Sequence, residues 1–162
     1  MNTAYLLTGA NLGNRQKSLR HAHELLGQQC GQIIAASRYY ETAAWGKTDQ
    51  PNFLNQALAI NTKYSANELI GHVLDIEKQM GRTRVEKYGP RLIDIDILLF
   101  NQEIHQLPAL TIPHPQLHNR RFALVPLAGI APDFIHPVFQ KTIRQLLTEC
   151  PDPLEVHALD DY

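Results

Sequence analysis

Residues 65–81 read SANELIGHVLDIEKQMG, and residues 91–100 read RLIDIDILLF. The first stretch predicts an amphipathic helix. Ser65 and Glu68 have the spacing of a capping box, Leu69, Val73, Ile76 and Met80 make one apolar stripe, and Gly81 supplies the stop. The second stretch, of β-branched and aliphatic residues, predicts a strand. Side chains alternate faces along a strand, so Asp94 and Asp96 share one face while Ile93, Ile95 and Ile97 take the other. The polar, basic segment Arg82 to Pro90 reads as a loop between them.

Working outward, Leu54 to Thr62 and Ile33 to Thr42 read as strands, separated by a loop from Ala43 to Asn52 that holds Trp45, Gly46 and Pro51. Upstream of these, Ala4 to Thr8 is a strand ending at Gly9. Asn14 then caps a helix whose apolar positions Leu19, Ala22 and Leu26 recur until Gly27. Downstream lie Pro-rich turns around His114, a helical stretch from Ala123 to Ile130 and a helix from about Gln140 to Glu149. The order β-α-β-β-α-β predicts an α+β fold of the split βαβ plan. Its antiparallel sheet has helices on one face, and the later elements cover part of the other.

Composition narrows the function. A chain of 162 residues, 44% apolar and 19% charged, suits one domain spanning 1–162 with an ordinary hydrophobic core. A net charge of −1 offers no field suited to nucleic acid or an anionic membrane, so any phosphate chemistry needs a local basic patch. The N-terminus lacks the pattern of a signal peptide, and no run approaches the ~20 apolar residues of a membrane span. Cys30 and Cys150 stand far apart and read as buried or half-buried thiols of a cytoplasmic protein.

Two carboxylates inside an apolar strand are costly unless cations meet them. Paired carboxylate oxygens suit Mg²⁺, a hard ion that shares its shell with water and phosphate. The rival reading of Asp94 and Asp96 is a solvated sheet face paired with Arg or Lys. Context favours the metal: Arg82, Arg84, Lys87 and Arg91 stand just upstream, and His114, Arg120 and Arg121 downstream. Metal and phosphate charge held together require that combination. Trp45, Phe53 and Phe122 could sandwich a flat heterocycle whose edge Asn55 matches, or could simply be core. The turn Gly9-Ala10-Asn11-Leu12-Gly13 is neither a P-loop nor a dinucleotide fingerprint, and Glu77 on the central helix reads on its own as solvated.

The motifs together resemble the 6-hydroxymethyl-7,8-dihydropterin pyrophosphokinase family, almost end to end. The resemblance rests on Gly9-Ala10-Asn11-Leu12-Gly13, Asp49-Gln50-Pro51-Asn52-Phe53-Leu54-Asn55 and Gly81-Arg82-Thr83-Arg84 leading to Pro90-Arg91-Leu92-Ile93-Asp94-Ile95-Asp96. It also rests on Ile112-Pro113-His114-Pro115 leading to Asn119-Arg120-Arg121-Phe122. It implies a ferredoxin-like αβα sandwich, mainly antiparallel, with helices on both faces. It implies ATP as co-substrate, two Mg²⁺ ions on Asp94 and Asp96, and catalytic cations at Arg82 and Arg91. By the same resemblance Arg84, His114 and Arg120 contact phosphate, while Ile70, Leu74, Glu77 and Ile97 line the nucleotide site. Thr42, Ala43, Trp45, Phe53, Asn55 and Phe122 surround the pterin. A cytoplasmic monomer is expected, with no nucleic-acid or membrane partner. Departures fall at Leu74, where some relatives carry Gln, near Ala109, where some carry Arg, at Tyr88 in place of a tryptophan, and in a shorter loop from Val85 to Gly89. The alternatives are a non-catalytic nucleotide-binding module of this fold and a kinase acting on another alcohol. Mg²⁺-dependent ATP binding and the identity of the acceptor separate them.

Overall fold

Strand β1 (Asn2–Ala10) is the axis of the computed structural model, which describes residues 1–43, 50–81 and 92–159. It pairs antiparallel with β4 (Phe53–Thr62) on one side and with β5 (Asp94–Phe100) on the other. Beyond β4 come β3 (Tyr40–Thr42) and β8 (Val156–Ala158), giving the order β5-β1-β4-β3-β8, and β2 (Gln32–Ala36) also pairs with β4.

Local chemistry sets the two helices on one face. The Asn14 side chain accepts from the Lys17 N–H at 3.1 Å to open α1 (Arg15–Gln29). Ser65 and Glu68 exchange hydrogen bonds of 3.2 and 2.9 Å to open α2 (Ala66–Gln79). Leu19 and Leu26 of α1, with Leu69, Val73 and Ile76 of α2, bury against Leu6, Leu58, Ile93, Ile95 and Ile97. The opposite face carries α3 (Arg121–Ile130) and α4 (Ile143–Glu149), where Leu124, Leu127 and Leu146 pack on Leu7, Leu98 and Leu99. The architecture is therefore the α+β sandwich expected, antiparallel and covered on both faces.

Several boundaries differ from the sequence reading. Helix α1 runs past Gly27 to Gln29, where the Cys30 N–H still bonds to the Leu26 carbonyl at 2.9 Å. The stop comes at Gly31, where a β-carbon would run into the carbonyl of Asn61. The strand predicted over Ile33 to Thr42 splits in two around Ser37. There the hydroxyl accepts the Ala57 N–H at 2.9 Å and so stands in for a backbone acceptor. Strand β1 includes Gly9, whereas β5 starts at Asp94; Arg91 lies outside the described residues. Helix α4 starts at Ile143 behind a Thr142 capping box, since Gln140 adopts φ 56. The hairpin β6 (His105–Leu107) and β7 (Leu110–Ile112), the 3-10 turn Leu117–Asn119 and β8 carry too short a pattern for the sequence to announce.

Between Tyr5 and Leu6 the β1–β5 register slips, Tyr5 facing Leu99 and Leu6 facing Ile97. Leu98 is the extra residue of a β-bulge. Leu98 and Leu99 thus both join the α3–α4 core, and Phe100 returns to the other. Both cysteines are buried free thiols, and burial pushes Cys30 up to about 11. No described helix is long and apolar enough to cross a membrane.

His136 is buried in the turn before α4. Its Nδ1 accepts from the Val138 and Phe139 N–H groups, each at 3.2 Å. Burial, aided by nearby His118, pushes its pKa from 6.5 down to about 4. The folded state therefore prefers neutral His136, and this preference is complete above the unfolded value and lost as pH falls from 6.5 toward 4. Stability should decline over that window by at most about 1.4 kcal/mol per pH unit for this one group. His136→Asn, whose amide oxygen can replace Nδ1, should flatten the decline in urea titrations at pH 4.5–6.5; an unchanged slope would contradict the assignment.

Candidate active site

Residues paired directly across a sheet share a face. Gly9 lies opposite Asp94 in β5 and opposite Asn55 in β4, and Asn55 lies opposite Tyr40 in β3. Asp94, Gly9, Asn55 and Tyr40 therefore form one row on the face toward α3. The next row of that face holds Asp96, Leu7 and Ala57. Gly9 has to be glycine here, because a β-carbon would collide with the Asn55 side-chain oxygen. The missing side chain leaves the room that the Asn55 side chain takes. Sequence reading placed Gly9 in a turn; a glycine late in a central strand was the signal for this close approach.

Asn55 is 3% exposed, and its amide nitrogen finds no hydrogen-bond partner among the described residues. A buried donor left unmet costs about 1–3 kcal/mol, which makes this amide a candidate to meet an acceptor brought by a ligand. Phe53, two residues earlier on the same face, is half-buried and pairs with Thr42. The Thr42 hydroxyl already donates to the Glu155 carbonyl at 3.0 Å. Its side chain thus serves the sheet edge, with half-buried Ala43 following it.

At the other end of the row, the His114 N–H donates to the Leu98 carbonyl at 3.0 Å, hanging the loop on the edge of β5. Its Nδ1 accepts from the Gln116 N–H at 3.1 Å, so the neutral ring carries its proton on Nε2. Burial first, then Arg120, pushes the His114 pKa down to about 4 against the opposing pull of Asp94. His114 therefore lies within electrostatic reach of both Arg120 and Asp94. Arg120 is the N-cap residue of α3, with its guanidinium 5.6 Å from the centre of the half-buried Phe122 ring.

Glu77 departs from the solvated helix glutamate of the sequence reading. It is 3% exposed and its carboxylate accepts the Ile95 N–H at 2.8 Å, closing the outer edge of β5 between the two aspartates. Ile97 packs in the α1–α2 core, and on α2 Ile70 is half-buried while Leu74 is exposed. The turn after β1 also has a task. Asn11 is buried and its amide donates to Gln50 at 2.8 Å and to the Pro51 carbonyl at 3.0 Å, anchoring the segment that enters Phe53. Trp45, Arg82, Arg84, Tyr88 and Arg91 lie outside the described residues.

This site sits in a recognisable sequence frame. The profile of the 7,8-dihydro-6-hydroxymethylpterin-pyrophosphokinase (HPPK) family matches residues 5–132. The chain belongs to that family. The 2-amino-4-hydroxy-6-hydroxymethyldihydropteridine pyrophosphokinase of Aquifex aeolicus is 40% identical over 149 residues, 92% of each chain. That of Bacillus subtilis is 43% identical over 130 residues, 80% of this chain and 78% of its own. Among solved structures, an HPPK-DHPS triple mutant of Plasmodium falciparum matches with a TM-score of 0.74 and 20% identity, over 91% of this chain and 44% of that one. This chain thus spans under half of that longer protein, and at such identity the likeness speaks for the fold alone.

The donor set fits the divalent cation expected of a pyrophosphokinase. Asp94 and Asp96 present hard oxygens on one half-exposed face, and no described group of three or more His, Cys, Asp or Glu could hold a metal alone. A cation here would complete its shell with water and substrate phosphate, as Mg²⁺ commonly does. The electrostatics can be checked by following the His114 ring nitrogens in NMR titrations. A midpoint near 4 with the Nε2–H tautomer is expected. Asp94→Asn should lower that midpoint and Arg120→Ala raise it; shifts in the opposite sense would show that the three groups are not coupled as described.

Proposed function

We propose that this chain moves the terminal diphosphate of ATP onto the hydroxymethyl oxygen of 6-hydroxymethyl-7,8-dihydropterin, releasing AMP, as its family membership implies. The observation that carries the site assignment is the row Asp94–Gly9–Asn55, with an unmet buried amide at one end and His114 and Arg120 at the other. In this reading the Asn55 amide donates to the pterin edge while Phe53 and Phe122 offer ring faces to the heterocycle. The backbone of Thr42 and Ala43 borders it, and Trp45 is assigned to the pterin by the family resemblance alone.

Asp94 and Asp96 would hold two Mg²⁺ ions, which when bound neutralise phosphate charge and align the phosphate chain. The His114 Nε2–H and the Arg120 guanidinium would take phosphate oxygens, joined by Arg82, Arg84 and Arg91 as further cations. Ile70, Leu74, Glu77 and Ile97 are assigned to the nucleotide side. Glu77 would act there through β5: by holding the Ile95 N–H it fixes the strand that aims both aspartates. The pterin hydroxyl oxygen forms a bond to the β-phosphorus as the bridge between the α- and β-phosphates breaks, and AMP leaves. The hydroxyl proton passes to one of the strand carboxylates or to solvent. Such a transfer needs little covalent help from the protein, so placement and charge neutralisation carry the rate. Neutral His114 contributes a directed donor without adding a titrating charge near pH 7. We further propose that the chain acts as a cytoplasmic, single-domain monomer; two buried free thiols suit a reducing compartment.

Chromatography of nucleotides after mixing the protein with MgATP and the dihydropterin alcohol tests the reaction. Pterin-dependent AMP without ADP is expected, and ADP would mean ordinary phosphoryl transfer. Asp96→Ala should lower kcat by a factor on the order of 10³ with the fold intact, and a near-normal rate would sink the metal assignment. Gly9→Ala should raise the pterin KM about tenfold or more by displacing Asn55, the cost of mispairing one buried amide. A pterin KM unchanged in Gly9→Ala would remove Asn55 from the pterin site.

A further inference from the structure

Helix α3 begins without a cap of its own. The Arg120 side chain makes no capping hydrogen bond, and the first turn contains no acidic residue. Yet this turn carries Arg120 and Phe122, which the proposed function places against phosphate and pterin. The first N–H of such a helix needs an acceptor, and a carboxylate satisfies both the hydrogen bond and the helix dipole.

That carboxylate arrives from the far end of the chain. Asp152, 6% exposed, accepts the Arg121 N–H on Oδ2 at 3.2 Å and the Leu154 N–H on Oδ1 at 3.0 Å. The Arg121 guanidinium returns the contact, its Nε donating to the Asp152 carbonyl at 3.0 Å and its Nη2 reaching the Cys150 carbonyl at 3.5 Å. Three residues on, the Glu155 carbonyl accepts the Thr42 hydroxyl at 3.0 Å, and β8 then pairs along β3 from Thr42 to Tyr40. The Leu159 N–H closes the strap on the Tyr39 carbonyl at 2.9 Å. The segment Cys150 to Leu159 therefore ties the start of α3, next to Phe122, to β3, which borders Phe53 and Asn55 through the β3–β4 pairing.

We propose that Asp152 is a positioning residue for the pterin side of the site, capping α3 from a distance so that Phe122 is held over the sheet row that carries Asn55. This inference rests on the reading of Phe122 and Asn55 as pterin contacts. It assigns a role to a tail outside the residues that the family profile matches. Each carboxylate oxygen takes one N–H, so an Asn amide, with a single acceptor oxygen, can replace only one of the two contacts.

The test is steady-state kinetics of the full chain with 6-hydroxymethyl-7,8-dihydropterin and MgATP, each varied at saturating levels of the other. Wild-type turnover comes first, and its absence would count against the proposed function rather than against Asp152. Asp152→Ala should raise the pterin KM about tenfold, a 1.4 kcal/mol effect, with the MgATP KM within about twofold, and Asp152→Asn, which keeps one acceptor, should fall between Asp152→Ala and wild type. An unchanged pterin KM in Asp152→Ala would overturn the proposal. So would equal losses for both substrates, or an Asp152→Asn no better than Asp152→Ala. Should Asp152→Ala fail to fold, Arg121→Ala decides. It keeps the capped N–H but loses the two guanidinium contacts, and a pterin-selective rise of about threefold supports the strap. No selectivity in Arg121→Ala rejects it.

Discussion

The register of β1 is the constraint on which the rest of the molecule depends. Gly9 has to face Asp94 on one side and Asn55 on the other for the site to exist. In a sheet buried on both faces, a slip of one residue would exchange the faces of every side chain in a strand. Asp94 and Asp96 would then enter the α1–α2 core in place of Ile95 and Ile97, at the cost of two buried carboxylates. The apolar residues that alternate with the aspartates are therefore part of the functional design, since their burial keeps the carboxylates on the α3 face. The bulge at Leu98 comes only after the second aspartate, so it re-aims the strand without disturbing the pair.

Charge is organised locally in a chain whose net charge is −1. Asp94 pulls the His114 pKa up while Arg120 and burial push it down further, leaving a neutral ring whose free proton points away from the Gln116 N–H. Binding a polyphosphate needs donors that stay in place as charge moves, and a neutral imidazole of fixed tautomer is one. The same economy appears at Glu77, where a buried carboxylate takes the outward N–H of an edge strand. Its neighbours on β5 are the two carboxylates that must face the other way. Holding the strand from behind fixes the face that they share.

Much of this was legible in the sequence because the signals were local. The Ser65–Glu68 capping box, the Leu69–Val73–Ile76 stripe and the Asp94–Asp96 alternation each specify a conformation within a few residues, and each has the structure predicted. The element order followed from them, as did the antiparallel sheet. What stayed hidden depended on contacts between distant segments. Ser37 breaks a strand because its hydroxyl meets Ala57, and Gly9 is needed because Asn55 crosses its place. Glu77 reads as a surface residue in the sequence, and only the Ile95 N–H beside it in the fold shows its task. A single-residue reading cannot distinguish a solvated glutamate from one that completes a strand edge, because the helix around it is the same in both cases.

The tail makes the same point in its strongest form. Residues 151–155 form no helix or strand, and their composition predicts nothing. Their effect comes from where they end up: a short β8 needs the edge of β3, and α3 needs an acceptor that its own sequence does not supply. A helix start with no local cap is a deficit visible in principle from the Asn119-Arg120-Arg121-Phe122 run, none of whose arginines can accept a hydrogen bond. The missing acceptor must come from elsewhere, and in this fold it comes from Asp152, in the segment that leads into β8. Closing the sheet edge and setting the first turn of α3 are thereby one event, so the floor and one wall of the site are fixed together.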